Sequence, residues 1–137
     1  MIDTAFLITS FVTLFVIIDP IGLTPVFLAL TQGASPKERR SIALRATFTA
    51  MFLLALFALF GEAVLGFAGI SMAAFRVAGG ILLFLTALDM LFERRTKRRE
   101  HQGEEADKAE DPSVFPMSIP LIAGPGSIAT VILLAGQ

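Results

Sequence analysis

Two stretches of this sequence combine residue types that chemistry inside a membrane would use. The first reads Asp19-Pro20-Ile21-Gly22-Leu23-Thr24-Pro25, an acidic residue beside two prolines and a glycine within an apolar run. Proline lacks an N–H and its ring clashes with the carbonyl four residues back, so Pro20 and Pro25 disturb the helical bonds ending at Val16 and Ile21. Gly22 loosens the backbone between them. The second stretch reads Pro120-Leu121-Ile122-Ala123-Gly124-Pro125-Gly126-Ser127. In hydrocarbon, freed backbone groups and a carboxylate persist only where they face protein, water or a solute. A half-helix resuming at about Thr24, or at Ser127, offers free N–H groups and a positive dipole to a carboxylate. Freed carbonyls and Asp19 suit an ammonium group, a proton or a cation, while Thr24, Ser127 and Thr130 add hydroxyls. The candidate substrate-binding residues are therefore Asp19, Pro20, Gly22, Thr24, Pro25, Gly124, Pro125, Gly126 and Ser127. Two proline-kinked helices without a ligand are the competing reading.

The elements that must hold these residues follow from where charge is absent. Of the 23 charged residues in the 137, 13 lie between Glu93 and Asp111, leaving too few elsewhere to coat a water-soluble surface. Four apolar segments remain: about Ala5 to Thr31, Ser41 to Gly66, Ile70 to Phe92, and from Pro116 onward. Each approaches or exceeds the length that crosses a hydrocarbon core of about 30 Å. Backbone groups in lipid must be satisfied internally, and no strand-like alternation is present, so the segments are expected as helices. The fold expected is an all-α, polytopic transmembrane bundle with segments one and four broken. The amino terminus has no positive n-region or cleavage site, so it reads as a retained span, not a signal peptide.

Ten of the eleven basic residues fall in two connections, Lys37 to Arg45 and Arg94 to Lys108, separated by two crossings. The positive-inside rule makes loops 32–45 and 93–113 cytoplasmic and puts Met1 outside. The run from Glu93 to Asp111 reads as a solvated, disordered loop, with contact to anionic headgroups as a second reading.

Several function classes drop out. Without cysteine there is no disulfide, no thiol catalysis and no zinc site, and the single His101 leaves no histidine-centred metal site. No cofactor and no metal are expected, and a net charge of −1 argues against a nucleic-acid partner. An intramembrane enzyme lacks a paired acid and base at one depth. Among the other intramembrane charges, Glu62 and Arg76 flank the short outer connection and are expected as a structural ion pair. Asp89 is expected to anchor the cytoplasmic end of segment three. Ala78, Gly79 and Gly80 form a small-residue face open to another helix, and a homo-oligomer is left open.

The two breaks correspond. A shift of 105 residues pairs Asp19-Pro20 with Gly124-Pro125 and gives four identities in 14 positions. Three crossings separate the segments, which is the arithmetic of an inverted repeat. The organisation expected is 1–92 as a first three-helix repeat, 93–113 as a cytoplasmic charged linker, and 114–137 as the start of a second, incomplete repeat.

At these breaks the sequence resembles the MarC family of integral membrane proteins, which includes small neutral amino acid transporters. The resemblance covers essentially the whole chain. It rests on Asp19 to Phe27, on Phe75-Arg76-Val77-Ala78-Gly79-Gly80-Ile81-Leu82-Leu83 with Asp89, and on Pro116 with Ile119 to Ile128. It implies a six-helix bacterial inner-membrane fold, which the inverted-repeat reading of the two breaks divides into two sets of three helices. Since the family continues for two more helices, the chain reads as truncated or partial. The implied activity is secondary transport of small neutral amino acids such as glycine, alanine or serine. The expected partners are the lipid bilayer, a small zwitterionic solute and a coupling ion, proton before Na⁺. The alternative is a non-transporting membrane subunit or assembly protein.

Overall fold

The computed structural model describes residues 2–92, 94–105 and 112–137. Among them every regular element is helical. Helix α1 (Thr4–Ile18) starts on Asp3, whose carboxylate accepts the Ala5 N–H at 3.2 Å and so satisfies an orphan donor of the first turn. It ends at Asp19, which takes a left-handed backbone (φ 53°, ψ 65°) and starts α2 (Pro20–Leu30). A turn through Gly33, at φ 80°, leads to α3 (Pro36–Phe67). There Ser35 and Glu38 cap each other reciprocally, at 2.7 and 3.3 Å. The 32 residues of α3 span about 48 Å, well beyond the hydrocarbon core, which leaves the basic first turns in the headgroup region.

Helix α4 (Met72–Leu91) is capped by Ser71, whose hydroxyl accepts the Ala74 N–H at 3.1 Å. Helix α5 (Arg94–Glu105) follows. Ser113–Ile122 is a coiled segment interrupted by extended residues at Phe115 and Ile119, and it meets α6 (Pro125–Ala135) at a bend of 59°. Thr4–Leu30, Pro36–Phe67 and Met72–Leu91 are each long and apolar enough to cross a membrane, and the bent pair makes a fourth if it acts as one span. The expected all-helical, polytopic architecture is present, with segments one and four broken.

Helix α6 lies at the centre and packs on α1, α3 and α4. Two glycines let it approach closely. A Cβ on Gly61 of α3 would sit 2.5 Å from Ile132, and one on Gly79 of α4 would sit 3.0 Å from Leu133. The small-residue face of segment three thus serves a helix of the same chain. The outer surface is apolar: Phe11, Phe48, Leu59, Val77 and Phe84 are all exposed. Such a surface suits lipid and is far larger than the patches soluble proteins expose.

The charged run departs from expectation. Over residues 94–105 it is a helix packed against α2 and α4, where a solvated loop was expected. The reason is its pattern: Arg95, Arg98 and Arg99 share one helical face, on which Arg95 and Arg99 find acceptors at the break in segment one and Arg98 finds Asp89 of α4. Glu93 and residues 106–111 of the run lie outside the described residues.

Candidate functional site

The break in segment one is built by Asp19 and Pro20. Proline at the first helical position has its φ already set and needs no N–H, so α2 resumes at once at Pro20. The expected restart near Thr24 is therefore corrected, and Pro25 sits inside a continuous helix. The Asp19 carboxylate caps α2 through one oxygen, which accepts the Gly22 N–H at 3.0 Å. A Cβ on Gly22 would collide with that carboxylate, which explains the glycine.

The other Asp19 oxygen accepts from Arg99 of α5 at 3.1 Å. Arg99 also donates to the Ile18 carbonyl at 2.8 Å, and Arg95 donates to the Ile17 carbonyl. These are carbonyls that the left-handed turn at Asp19 leaves without their helical donors. Two guanidinium groups of the same chain thus hold the acceptors at which a solute ammonium group, a proton or a cation was expected. Arg99 is only 5% exposed. Its burial, reinforced by repulsion from Arg95 and opposed by Asp19, lowers its pKa to about 10. Burial likewise pushes Arg95 down, against the attraction of Asp19. Arg98 pairs with Asp89 at 2.7 Å, which ties the end of α4 to α5.

The break in segment four is similar in plan. Pro125 opens α6, ahead of the expected restart at Ser127, for the reason that applies at Pro20. The Ser127 hydroxyl accepts the Gly124 N–H at 3.0 Å and donates to the Ile122 carbonyl at 2.6 Å. Asp19 thus caps forward onto the third residue of α2, whereas Ser127, the third residue of α6, caps backward. These are the two halves of one capping box, divided between the two breaks. Helices α2 and α6 each have 11 residues, and their boundaries differ by the same 105 residues that align the sequences.

Six of the nine candidate residues border two cavities, and Asp19, Gly22 and Pro25 line neither. Pro20 and Thr24 line one of about 400 Å³ between α2, α3 and the coiled segment, otherwise apolar except for Thr47. The Thr24 hydroxyl is turned back onto the Pro20 carbonyl at 2.9 Å. Gly124, Pro125, Gly126 and Ser127 line a second cavity of about 130 Å³, together with Thr86, Arg95, Arg98 and Arg99. Arg99 joins the two breaks, because it lines the second cavity and holds Asp19. Glu62 and Arg76 are both exposed, on helices whose main packing partner is α6, and no ion pair between them occurs among the described residues.

The arginines were missed as site residues because a charge run reads as solvated surface. Their i, i+3, i+4 spacing was the available signal, since it puts three guanidinium groups on one face.

A sequence profile described as MarC family integral membrane protein matches residues 4–137. The chain is 44% identical over 134 residues to a UPF0056 membrane protein of Methanocaldococcus jannaschii, covering 96% of this chain and 59% of the relative. It is 41% identical over 134 residues to the UPF0056 membrane protein YvbG of Bacillus subtilis, covering 96% and 64%. A UPF0056 membrane protein of Aquifex aeolicus is 40% identical over 131 residues, covering 94% and 61%. The chain therefore spans less than two thirds of the length of these relatives. No solved structure matches it.

Proposed function

The chain belongs to the MarC family of integral membrane proteins, and from that premise we propose that it is a secondary transporter of small neutral amino acids, or the amino-terminal part of one. The observation that carries this reading is the pair of half-helices α2 and α6. Each starts at a proline directly after a break, at an offset of 105 residues. Discontinuous helices in corresponding positions are how inverted-repeat transporters form a solute site. In this reading a half-helix start receives the solute carboxylate, and the Asp19 carboxylate, which Arg99 holds in this structure, exchanges that partner for the ammonium group or the coupling ion. Proton coupling through Asp19 is the driver in this reading, with Na⁺ the other ion. The protein sits in the bacterial inner membrane with Met1 outside.

A non-transporting membrane subunit is the second reading. The observation in its favour is that Asp19 already has Arg99 as a partner. Uptake of labelled glycine and alanine into liposomes holding the protein separates the two. Flux that responds to a pH gradient, and loses that response in Asp19→Asn, is expected. No flux with or without the gradient overturns transport, and unchanged pH dependence in Asp19→Asn removes Asp19 from the mechanism.

A further inference from the structure

The smaller cavity has a chemistry of its own. It holds about 130 Å³ between α4, α5 and α6, and Arg95, Arg98 and Arg99 all reach it. Among the described residues the carboxylates beside it are used up: Asp89 is paired with Arg98 and Asp19 with Arg99. Arg95 is left with neutral partners, the Ile17 carbonyl and the Met90 sulfur at 3.2 Å. The half-buried Arg95 guanidinium therefore has no carboxylate of its own in ion-pair contact among the described residues, and a charge so placed is costly. On the opposite wall α6 makes its first intrahelical bond from Ile128 to Gly124, at 2.9 Å. The N–H groups of Gly126 and Ser127 precede it and have no intrahelical acceptor. Both walls carry positive potential, and no carboxylate is among the described residues that line the space between them.

We propose that this cavity is the subsite for the carboxylate of the transported solute, held by Arg95 and Arg99 on one wall and by the first turn of α6 on the other. The identity of the solute rests on the transport reading above. The choice of a carboxylate rests on charge and shape. Among the described residues three guanidinium groups meet two carboxylates here, the one left over is matched by a monoanion, and the guanidinium fork fits a planar carboxylate with two parallel bonds. The site joins the two breaks, since Arg99 also binds Asp19 at 3.1 Å. A solute there has its negative end on α6 and lies next to the one acidic group of segment one.

The sequence has no cysteine, so a single reporter is clean. Thr86 lines the cavity, and its hydroxyl lies 4.0 Å from where a Cβ on Gly126 would stand. The test labels Thr86→Cys in detergent-solubilised full chain with methanethiosulfonate reagents of opposite charge. The anionic reagent is expected to react about tenfold faster than the cationic one, as electrostatic focusing in a charged cleft gives. Arg95→Gln should abolish that preference. Arg95→Lys should keep it, which guards against loss through misfolding, and so should Lys97→Gln, at an exposed position outside the cavity. Glycine and acetate should slow the labelling, and methylamine should not. Equal rates for the two reagents, a preference that survives Arg95→Gln, or no slowing by glycine and acetate overturns the proposal. Slowing by inorganic phosphate or phosphatidylglycerol alone also overturns it, in favour of a phosphate or lipid-headgroup site. Labelling needs no flux, so a preference with protection in a chain that carries no solute upholds the subsite while the transport reading fails.

Discussion

At the scale of the residue, Asp19 does two jobs that conflict in lipid and are reconciled by its neighbours. Its left-handed backbone ends α1, its carboxylate starts α2, and the charge this brings into the membrane is met by Arg99. Removing one partner of a buried pair leaves the other uncompensated, at a cost of several kcal/mol. Here the Asp19 side chain is 31% exposed, so solvent screening discounts the figure. Arg99→Gln is expected to lower stability by about 2 kcal/mol, measured as the unfolding midpoint in detergent. The double variant Arg99→Gln with Asp19→Asn should recover part of that loss, because neither charge is then stranded. Additive losses would show that the pair carries no coupling. The break was legible in the sequence, since Asp-Pro within an apolar run has few other meanings. Its partner was not, because Arg99 stands 80 residues away in a run whose composition reads as solvated.

At the scale of the element, the same physics explains what the sequence conveyed and what it did not. Segment limits were legible within a few residues because hydrocarbon tolerates only satisfied backbone. The restart points were placed too late, at Thr24 and Ser127, by treating proline only as a breaker. At the first helical position it is a good starter, hence Pro20 and Pro125. Which helices touch was not legible, and the Glu62–Arg76 pair failed with it: α6 takes the contacts with both α3 and α4. That central placement has a measurable signature at three glycines. Gly61→Ala pushes a methyl against Ile132, at 2.5 Å, and should cost about 1–3 kcal/mol. Adding Ile132→Ala should return part of the loss by opening room. Gly80→Ala, with nothing within 4 Å, should leave the midpoint unchanged, whereas Gly79→Ala must displace the flexible end of Leu133 and falls between. Equal effects at Gly61 and Gly80 would remove α6 from its place against α3.

At the scale of the whole molecule, the contact between α5 and the first break constrains topology without reference to charge counting. Helix α1 has 15 residues, about 22 Å, and α2 has 11, about 16 Å, so Asp19 lies nearer the face where α2 ends. Helix α5 must approach from that same face for Arg99 to reach Asp19. Two crossings, α3 and α4, lie between the end of α2 and the start of α5, which returns the chain to the side it left. Contact and crossing number therefore agree on one arrangement, and they leave only its sign open. The orientation proposed above takes its sign from the basic residues, ten of eleven of which stand in these two connections. A protease site introduced at Met1 should be cut from outside in spheroplasts, and one at residue 103 should be cut only after the membrane is opened. Protection of the Met1 site would reverse the orientation and put the arginine-lined cavity at the outer face. Cutting at both sites from outside would break the parity of the crossings, and with it the approach of α5 to the first break.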